Sequence, residues 1–263
     1  MNVIVCVKQV PDTAATIKLD SSGKSINQEN ITYVLNPFDE YAIEEALQTK
    51  EKFGGEVTLV TMGPDRAEEA LRTGLAMGAD TGIHISDPQL AGTDNFGTAR
   101  VLAAAIKTVP HDIIFCGKVA VDDNAGQVGP QIAELLGIPQ VTAATKLEIA
   151  EGGASAKVNR EIEGATEVLQ TPLPAVITAE KDLNQPRYPS LPGIMKAKHK
   201  PVRKMTLADL GLNPAEFGAG ASKFEITSMA MPPKREGGRI IQGDLPEAVK
   251  ELVKLLHEEA KVI

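Results

Sequence analysis

The amino-acid sequence predicts an α/β protein with a doubly wound, mostly parallel sheet, a β-rich addition, an extended arm and a C-terminal amphipathic helix. Three observations support this prediction. Apolar runs of strand length alternate with helix-like segments through about the first 140 residues, as in proteins with helices on both faces of a parallel sheet. The chain then changes to short, β-rich pieces separated by glycines. Beyond Asn184, prolines and glycines interrupt any regular pattern until the final segment.

Strands and helices alternate in the first part of the chain. Asn36 is a suitable N-cap for the first helix, and Pro37 suits its first position. Helices of this length between strands require parallel pairing with right-handed crossovers. The predicted strands are residues 2–7, 57–62, 83–85 and a run from 113, and the predicted helices are 36–53, 65–77 and 95–109.

Short β pieces follow and indicate an antiparallel addition that precedes one last core strand. These pieces are residues 141–149, 156–160 and 166–169, with 175–179 as the core strand. Two short helices are predicted near Leu207 and Pro214. The last segment, 245–262, has leucines and valines along one side, and we expect it to pack away from its own sheet, on another chain. The alternative, a terminal helix folded back on its own core, stays open.

Composition and charge restrict the function classes. The 263 residues are 43% hydrophobic and 24% charged, which is ordinary for a globular protein. The net charge of −8 argues against nucleic acid or an anionic membrane surface as partner. Both cysteines lie in apolar runs without metal-site spacing, which is typical of buried thiols. No apolar stretch approaches the 18 residues of a membrane span, and the first residues predict a strand and not a signal peptide. We therefore expect a cytoplasmic protein with buried thiols and no membrane insertion.

The segment 112–136 combines a strand, a glycine-rich loop and a helix. Flexible backbone at 126–129 lies just ahead of Pro130, which suits the first turn of a helix. Free N–H groups at such a helix start attract an anion, and Asp122 or Asp123 would then lie near ribose hydroxyls. The alternative is an ordinary βα connection with two solvated aspartates, and the loop alone does not decide between them.

The sequence lacks the motifs of several enzyme classes. It contains no GxxxxGK[ST] phosphate loop, no GxSxG elbow and no HExxH, and its four histidines are scattered. Asp122 and Asp123 are poor candidates for an acid–base pair because adjacent loop residues diverge in direction. We therefore predict no catalytic residue and no metal.

Six ordered blocks nevertheless resemble one family over about the first 200 residues: VCVKQVPD, NPFDEYAIEEAL, TMGP, ALRTGLAMGAD, CGKVAVDDNAGQVG and LNQPRYPSLPGIMKAK. The chain is similar to the β subunit of electron transfer flavoprotein. The resemblance implies a Rossmann-like, adenine-nucleotide-binding domain in a non-catalytic electron carrier. It also implies a heterodimer in which the α subunit binds most of the FAD and the β subunit binds AMP. Electrons would pass from acyl-CoA or related dehydrogenases to a quinone reductase or other acceptor.

The resemblance assigns residues to two sites and three regions. The regions are a nucleotide-binding domain (1–183), a recognition loop and arm (184–243), and a helix on the α subunit (244–263). Leu191 takes the position of the hydrophobic anchor that enters a pocket on the dehydrogenase. The AMP contacts would be Cys6, Asn36, Pro37, Phe38, Asp39, Met62, Gly117, Lys118, Val119, Ala120, Val121, Asp122, Asp123, Asn124, Ala125, Gly126, Gln127 and Val128. The dehydrogenase contacts would be Leu191, Pro192, Ile194, Met195 and Lys196.

The nucleotide itself is the open question. Asp123 and the stretch 186–198 resemble AMP-binding members. Val128, the following stretch 130–142 and the loop 91–98 resemble electron-bifurcating members, which bind a second FAD and use NADH. We favour AMP. A stress-protein-like nucleotide module would share the sheet, but it would not explain the proline-rich segment near Leu191.

Overall fold

The computed structural model describes residues 1–233 and 237–263, and its strands and helices alternate much as the sequence predicts. The strands are β1 Val3–Cys6, β2 Gln9–Pro11, β3 Tyr33–Leu35, β4 Val57–Met62, β5 Thr81–Ile85, β6 Ile113–Gly117, β7 Gln140–Ile149, β8 Ser155–Ile162, β9 Ala165–Pro172, β10 Val176–Ala179 and β11 Val202–Met205. The α-helices are α1 Pro37–Phe53, α2 Glu68–Met77, α3 Asn95–Ile106, α4 Val128–Leu136, α5 Leu191–Ala197 and α6 Leu245–Lys254.

One large sheet organises the described part of the chain. Its order is β11-β5-β4-β1-β6-β10-β7-β8-β9, and the pairs from β11 to β7 are parallel. The pairs of β8 with β7 and with β9 are antiparallel. This arrangement confirms the predicted doubly wound, mostly parallel α/β class with a β-rich addition.

The chain reverses its direction of travel across the sheet between β1 and β6. It runs outward from β1 to β4 and β5, and it then returns to place β6 on the other side of β1. In open α/β sheets, ligands bind at the carboxyl ends of the strands that flank such a switch point. The topology therefore marks the carboxyl ends of β1 and β6 as the first place to look for a site.

Helices cover both faces of the sheet, which explains why the core strands are apolar throughout. Val3 and Val5 of β1 point toward α1 and α2 in one buried cluster. Ile4 and Cys6 point to the opposite face, toward α3 and α4 in a second cluster. The alternation along β1 follows from the two-residue period of a strand.

Strand β7 belongs to both parts of the sheet, which the sequence did not reveal. Its first residues pair in parallel with β10, and the later ones pair antiparallel with β8. The register shifts between Ala144 and Lys146, and Ala143 has a positive φ of 55°. Such a bulge bends a strand and lets it serve two partners.

The segment around Leu191 is a helix, whereas the sequence analysis assigned it to a recognition loop. Residues Leu191–Ala197 form α5, with Pro192 in the first turn, where a missing N–H costs nothing. The Ser190 side chain caps the helix by accepting a 3.1 Å hydrogen bond from the Gly193 N–H. The chain then forms β11, an unpredicted edge strand beside β5. Of the two short helices predicted beyond it, Pro214–Glu216 is a 3₁₀ helix and the one near Leu207 is a turn.

The C-terminal helix α6 contains no buried residue. Its apolar side stays open to solvent, with Leu245 79% and Val249 50% exposed. Asp244 caps its N-terminus, and a π-helical turn, Leu255–Glu259, continues it. Among the described residues, no helix is both long and apolar enough to span a membrane.

Candidate functional site

The predicted nucleotide residues converge at the switch point. Cys6 ends β1 and lies directly opposite Cys116 of β6, and Gly117 is the last residue of β6. Met62 ends the neighbouring strand β4. Parallel strands end at one edge of the sheet, so the structure brings together residues that are more than 100 positions apart in the chain. Both cysteines are buried free thiols.

Asp39 in the first turn of α1 connects three elements at this edge. Its carboxylate accepts hydrogen bonds from the backbone N–H of Lys8 (2.7 Å) and of Gly117 (3.1 Å). The Asn36 amide donates a third at 2.9 Å. Burial raises the pKa of Asp39 to about 7, although these three donors act to lower it. The loops after β1 and β6 are thereby tied to the start of α1.

The close approach of α1 to the end of β6 requires a glycine at position 117. A Cβ at this position would lie 2.3 Å from Asp39 Oδ1 and 2.8 Å from the Cβ of Phe38. No side chain fits at such distances. Phe38 is half-buried beside the end of β6, and Pro37 before it is half-buried as well.

Asn36 occupies the N-cap position of α1, but its side chain does not cap the helix. Instead, its amide nitrogen also donates to the Val119 carbonyl at 2.9 Å, and its amide oxygen accepts from the Val121 N–H at 3.2 Å. The predicted capping role is therefore wrong. The side chain holds the loop after β6 in place, which suits a buried residue with four hydrogen-bonding positions.

The loop from Gly117 to Val128 folds into a closed turn. The Asn124 N–H donates to the Ala120 carbonyl at 2.8 Å, and Asn124 itself has φ 51°. The Ala125 N–H donates to Asp123 Oδ1 at 3.0 Å. Gly126 has φ 62°, a left-handed conformation that glycine adopts without strain. The polar residues are thereby presented on a defined backbone.

Helix α4 starts at Val128, and its N-terminal end has the features of a candidate anion site. Within residues 1–233 and 237–263, the N–H groups of Gln127, Val128 and Gly129 have no protein acceptor. No acidic residue lies in the first turn. Gly129 lets the helix start lie against the sheet, since a Cβ there would be 2.9 Å from Thr178 Cγ2. Free N–H groups and the helix dipole favour a phosphate at this point.

Two lysines that flank the loop make ion pairs. Lys8 Nζ lies 2.8 Å from Asp122 and 3.4 Å from Asp123, which joins the loop after β1 to the loop after β6. Lys118 Nζ lies 2.5 Å from the buried Glu180. Burial acts to raise the pKa of Glu180, but hydrogen bonds from Lys118 and from the Lys181 backbone outweigh it and lower the pKa.

The sequence analysis did not select Lys8. Its position just after β1, at the carboxyl end of a predicted core strand, could have identified it.

A cleft of about 250 Å³ lies at the same edge and is bordered by Lys8, Met62 and Asp122. Across this cleft the Arg66 guanidinium lies 3.8 Å from the centre of the Tyr33 ring. Tyr33 lies on β3, which pairs with β2 in a small antiparallel sheet that the sequence did not predict.

A larger cavity lies elsewhere. It measures about 420 Å³, lies between the start of α3 and residues 215–223, and contains none of the predicted site residues. At its edge the Asp94 carboxylate accepts hydrogen bonds from the backbone N–H groups of Gly97 and Lys223, and Arg100 forms an ion pair with Glu216. We therefore place the candidate site at the switch point, where unpaired donors remain.

The predicted partner-binding residues form a second, separate surface on α5. Leu191, Ile194 and Met195 are 76%, 45% and 57% exposed. Pro192 and Lys196 are also exposed on this helix. Apolar side chains grouped on one exposed helix indicate a protein-binding surface.

Comparison with known proteins shows the family of this chain. The model of the electron transfer flavoprotein domain matches residues 24–210. This chain belongs to the electron transfer flavoprotein family. It is 46% identical to the electron transfer flavoprotein subunit beta of Bacillus subtilis over 264 aligned residues, with all of both chains covered. The mitochondrial β subunit of Arabidopsis thaliana is 41% identical, also with full coverage of both chains.

A third relative extends the functional range of the family. The caffeyl-CoA reductase-Etf complex subunit CarD of Acetobacterium woodii is 40% identical, with 98% of this chain and 99% of the relative covered. β subunits of electron transfer flavoprotein are electron carriers and not enzymes themselves, and they imply an α subunit as partner. The family name likewise associates this chain with a flavin.

Proposed function

We propose that this chain is the β subunit of a cytoplasmic electron transfer flavoprotein that binds AMP and helps to hold the FAD of its α subunit. The heterodimer accepts electrons from acyl-CoA-type dehydrogenases and passes them to a quinone reductase or a similar acceptor. The flavin supplies the redox chemistry when it is bound. This chain supplies binding sites and a docking surface.

The observation that carries the nucleotide part of the proposal is the start of α4. Three free N–H groups there suit a phosphate, Gly126 gives the loop its left-handed turn, and Gly129 lets the helix start lie against the sheet. Asp122 and Asp123 would accept hydrogen bonds from ribose hydroxyls. A nucleotide bound only by the folded state would stabilise the fold.

Two surfaces account for the partners. The apolar residues of α5 would enter a pocket on the dehydrogenase, with Leu191 as the anchor. The open apolar side of α6 would pack on the α subunit. These assignments divide the chain functionally into a nucleotide-binding domain (1–183), a recognition segment and arm (184–243) and a terminal helix (244–263).

Identification of the bound nucleotides tests the first part. Acid extraction of the purified heterodimer, followed by chromatography, is expected to release one FAD and one AMP per heterodimer. Two FAD and no AMP would contradict the AMP assignment. Absence of any adenine compound would contradict the site itself.

The docking surface has its own test. Leu191→Ala is expected to slow electron transfer from an acyl-CoA dehydrogenase by roughly tenfold, because a buried apolar anchor contributes about 1–3 kcal/mol. The flavin content should not change. Val168→Ala serves as control, because it also truncates an exposed apolar side chain but lies on β9, at the opposite end of the sheet from β11. Equal rates for both variants would exclude Leu191 as the anchor.

A bifurcating β subunit is the second candidate. The similarity to the CarD subunit favours it, as do Val128 and the loop at 91–98. In that case a second FAD replaces AMP at the same site and NADH is the electron donor. Rapid reduction of the heterodimer by NADH, together with two extracted FAD, would support this candidate over the first.

A further inference from the structure

The recognition segment is fixed to the body of the protein at both of its ends. Helix α5 packs against α2, and its Ala197 side chain is buried there. Gly193 touches the α2 backbone so closely that a Cβ would lie 2.5 Å from the Ala76 carbonyl oxygen. The helix has only seven residues, too few to be stable without tertiary support. Its conformation therefore depends on what holds it.

Arg187 holds the N-terminal end. Its guanidinium donates to both carboxylate oxygens of Glu44 at 2.8 and 2.9 Å, and to Glu51 at 2.6 and 3.3 Å. Its backbone N–H donates to Glu44 as well, at 3.1 Å. Burial would raise the pKa of Glu44, but hydrogen bonds from Arg187 and Gln48 outweigh it and lower the pKa. This paired, two-pronged geometry is the strongest that an arginine offers to a carboxylate.

Asn184 adds a neutral contact at the same end. Its side-chain amide donates to Glu45 and to the Tyr41 carbonyl, each at 3.0 Å. Both acceptors lie on α1, as does Glu44. The chain that enters α5 is therefore attached to α1 over four residues, from 184 to 187.

Arg72 of α2 holds the C-terminal end. It donates to the carbonyl oxygens of Ala197 (2.9 Å) and Lys200 (2.8 Å), which terminate α5 and the turn that follows. Glu68 fixes the guanidinium from the other side at 2.8 Å. In return, Lys200 Nζ donates to the Leu75 carbonyl near the end of α2 at 3.0 Å. Side chains of α2 and of the turn after α5 thus satisfy carbonyl groups at the ends of both helices.

We propose that Arg187 and Arg72 are positioning residues that hold α5 in the conformation a dehydrogenase recognises. The inference rests on the proposed docking role of Leu191. A helix that is already held in place loses less conformational entropy when it docks. The contacts of Arg187 and Arg72, called the clamps below, therefore strengthen binding without touching the partner. Loss of a clamp should weaken docking and leave the electron-transfer step within the docked complex unchanged.

The test uses the whole heterodimer as the varied substrate of an acyl-CoA dehydrogenase. Arg187→Ala is expected to raise the KM for the heterodimer roughly tenfold, which corresponds to the loss of about one charge-assisted hydrogen bond. The kcat should change less than about twofold. Hydrogen exchange at residues 184–200 should become faster in the same variant. Arg187→Lys keeps the charge but loses the two-pronged geometry, and its KM should lie between those of the parent and Arg187→Ala.

Arg160→Ala is the matched control, because Arg160 also pairs with a glutamate but lies on the β8–β9 hairpin. It should leave KM and exchange at 184–200 unchanged. Leu191→Ala separates the two proposals. If Leu191→Ala has no effect, the docking surface itself is wrong. If Leu191→Ala raises the KM but Arg187→Ala does not, the positioning role of Arg187 is wrong and the docking surface stands. The same conclusion holds if Arg187→Ala raises the KM without faster hydrogen exchange at 184–200.

Discussion

At the scale of single residues, the candidate site depends on a few side chains that hold loops together. Asp39 and Asn36 use all their hydrogen-bonding atoms to fix the backbone of the loops after β1 and β6. Position 117 requires a glycine, because the Asp39 carboxylate occupies the space that a Cβ would need. These residues would act on a nucleotide through the position of the loop.

Gly117→Ala tests this packing. The added methyl would clash with Asp39 Oδ1, so we expect the free energy of unfolding to fall by about 1–3 kcal/mol in urea denaturation. Gly152→Ala is the control, because a Cβ there meets nothing within 4 Å. Its effect should stay within roughly 0.5 kcal/mol. Similar losses in the two variants would contradict the tight approach at Gly117.

The raised pKa of Asp39 predicts a pH dependence. A folded-state pKa near 7, above the ordinary value of 3.8, means that the folded state retains the proton which the unfolded chain releases. The contribution to stability is therefore full below pH 4 and decreases as pH rises to about 7, by at most about 4 kcal/mol. Urea unfolding at pH 4.5 and pH 7.5 measures it. Asp39→Asn should lack this contribution, and a stability difference between parent and variant that is independent of pH would contradict the assignment.

At the scale of elements, the turn after β6 and the start of α4 work as one unit. The chain leaves β6 at a glycine, crosses a turn with positive φ at Asn124 and Gly126, and begins a helix whose first N–H groups are free. Each step follows from local chemistry. Their combination at a switch point is what makes this edge the candidate site.

Gly126→Val tests this unit. A branched side chain opposes the positive φ and fills the space beside Val119, so the variant should retain less than about a tenth of the parent's AMP and melt at a lower temperature. Gly164→Val is the control, because its φ of 73° is similar but its position is an open hairpin turn. Retention of the nucleotide by Gly126→Val would place the pocket elsewhere.

At the scale of the whole molecule, the open side of α6 sets the expectation for assembly. A hydrophobic helix face that no described residue covers is costly in water and indicates a partner. Its location beyond an irregular arm lets it reach a second subunit. The chain as a whole carries a net charge of −8, whereas lysines are grouped near α5.

Leu252→Glu distinguishes an α6 that packs on the α subunit from one that folds back on its own core. In the first case the variant should weaken heterodimer association by at least tenfold, measured by titration of the separated subunits, and leave the unfolding of the lone β subunit unchanged. Lys250→Glu, on the polar side of the helix, is the control. Destabilisation of the lone subunit by Leu252→Glu, with unchanged association, would support the folded-back helix.

The sequence by itself determined the fold class, most element positions and the edge of the sheet where the candidate site lies. These depend on local signals: the period of apolar residues, glycines and prolines at element ends, and the rule that parallel strands finish together. Cys6, Met62 and Gly117 could be placed at one edge for this reason.

Only the tertiary structure decided the roles of Asn36, Lys8 and Arg187, the helical form of residues 191–197 and the edge strand β11. Asn36 had a suitable local role as a cap, but its partners at Val119 and Val121 lie more than 80 residues away. Likewise, α5 is too short to be specified by its own sequence, and contacts with α1 and α2 hold it in place. Contacts between distant parts of the chain outweigh local preference wherever the local preference is small.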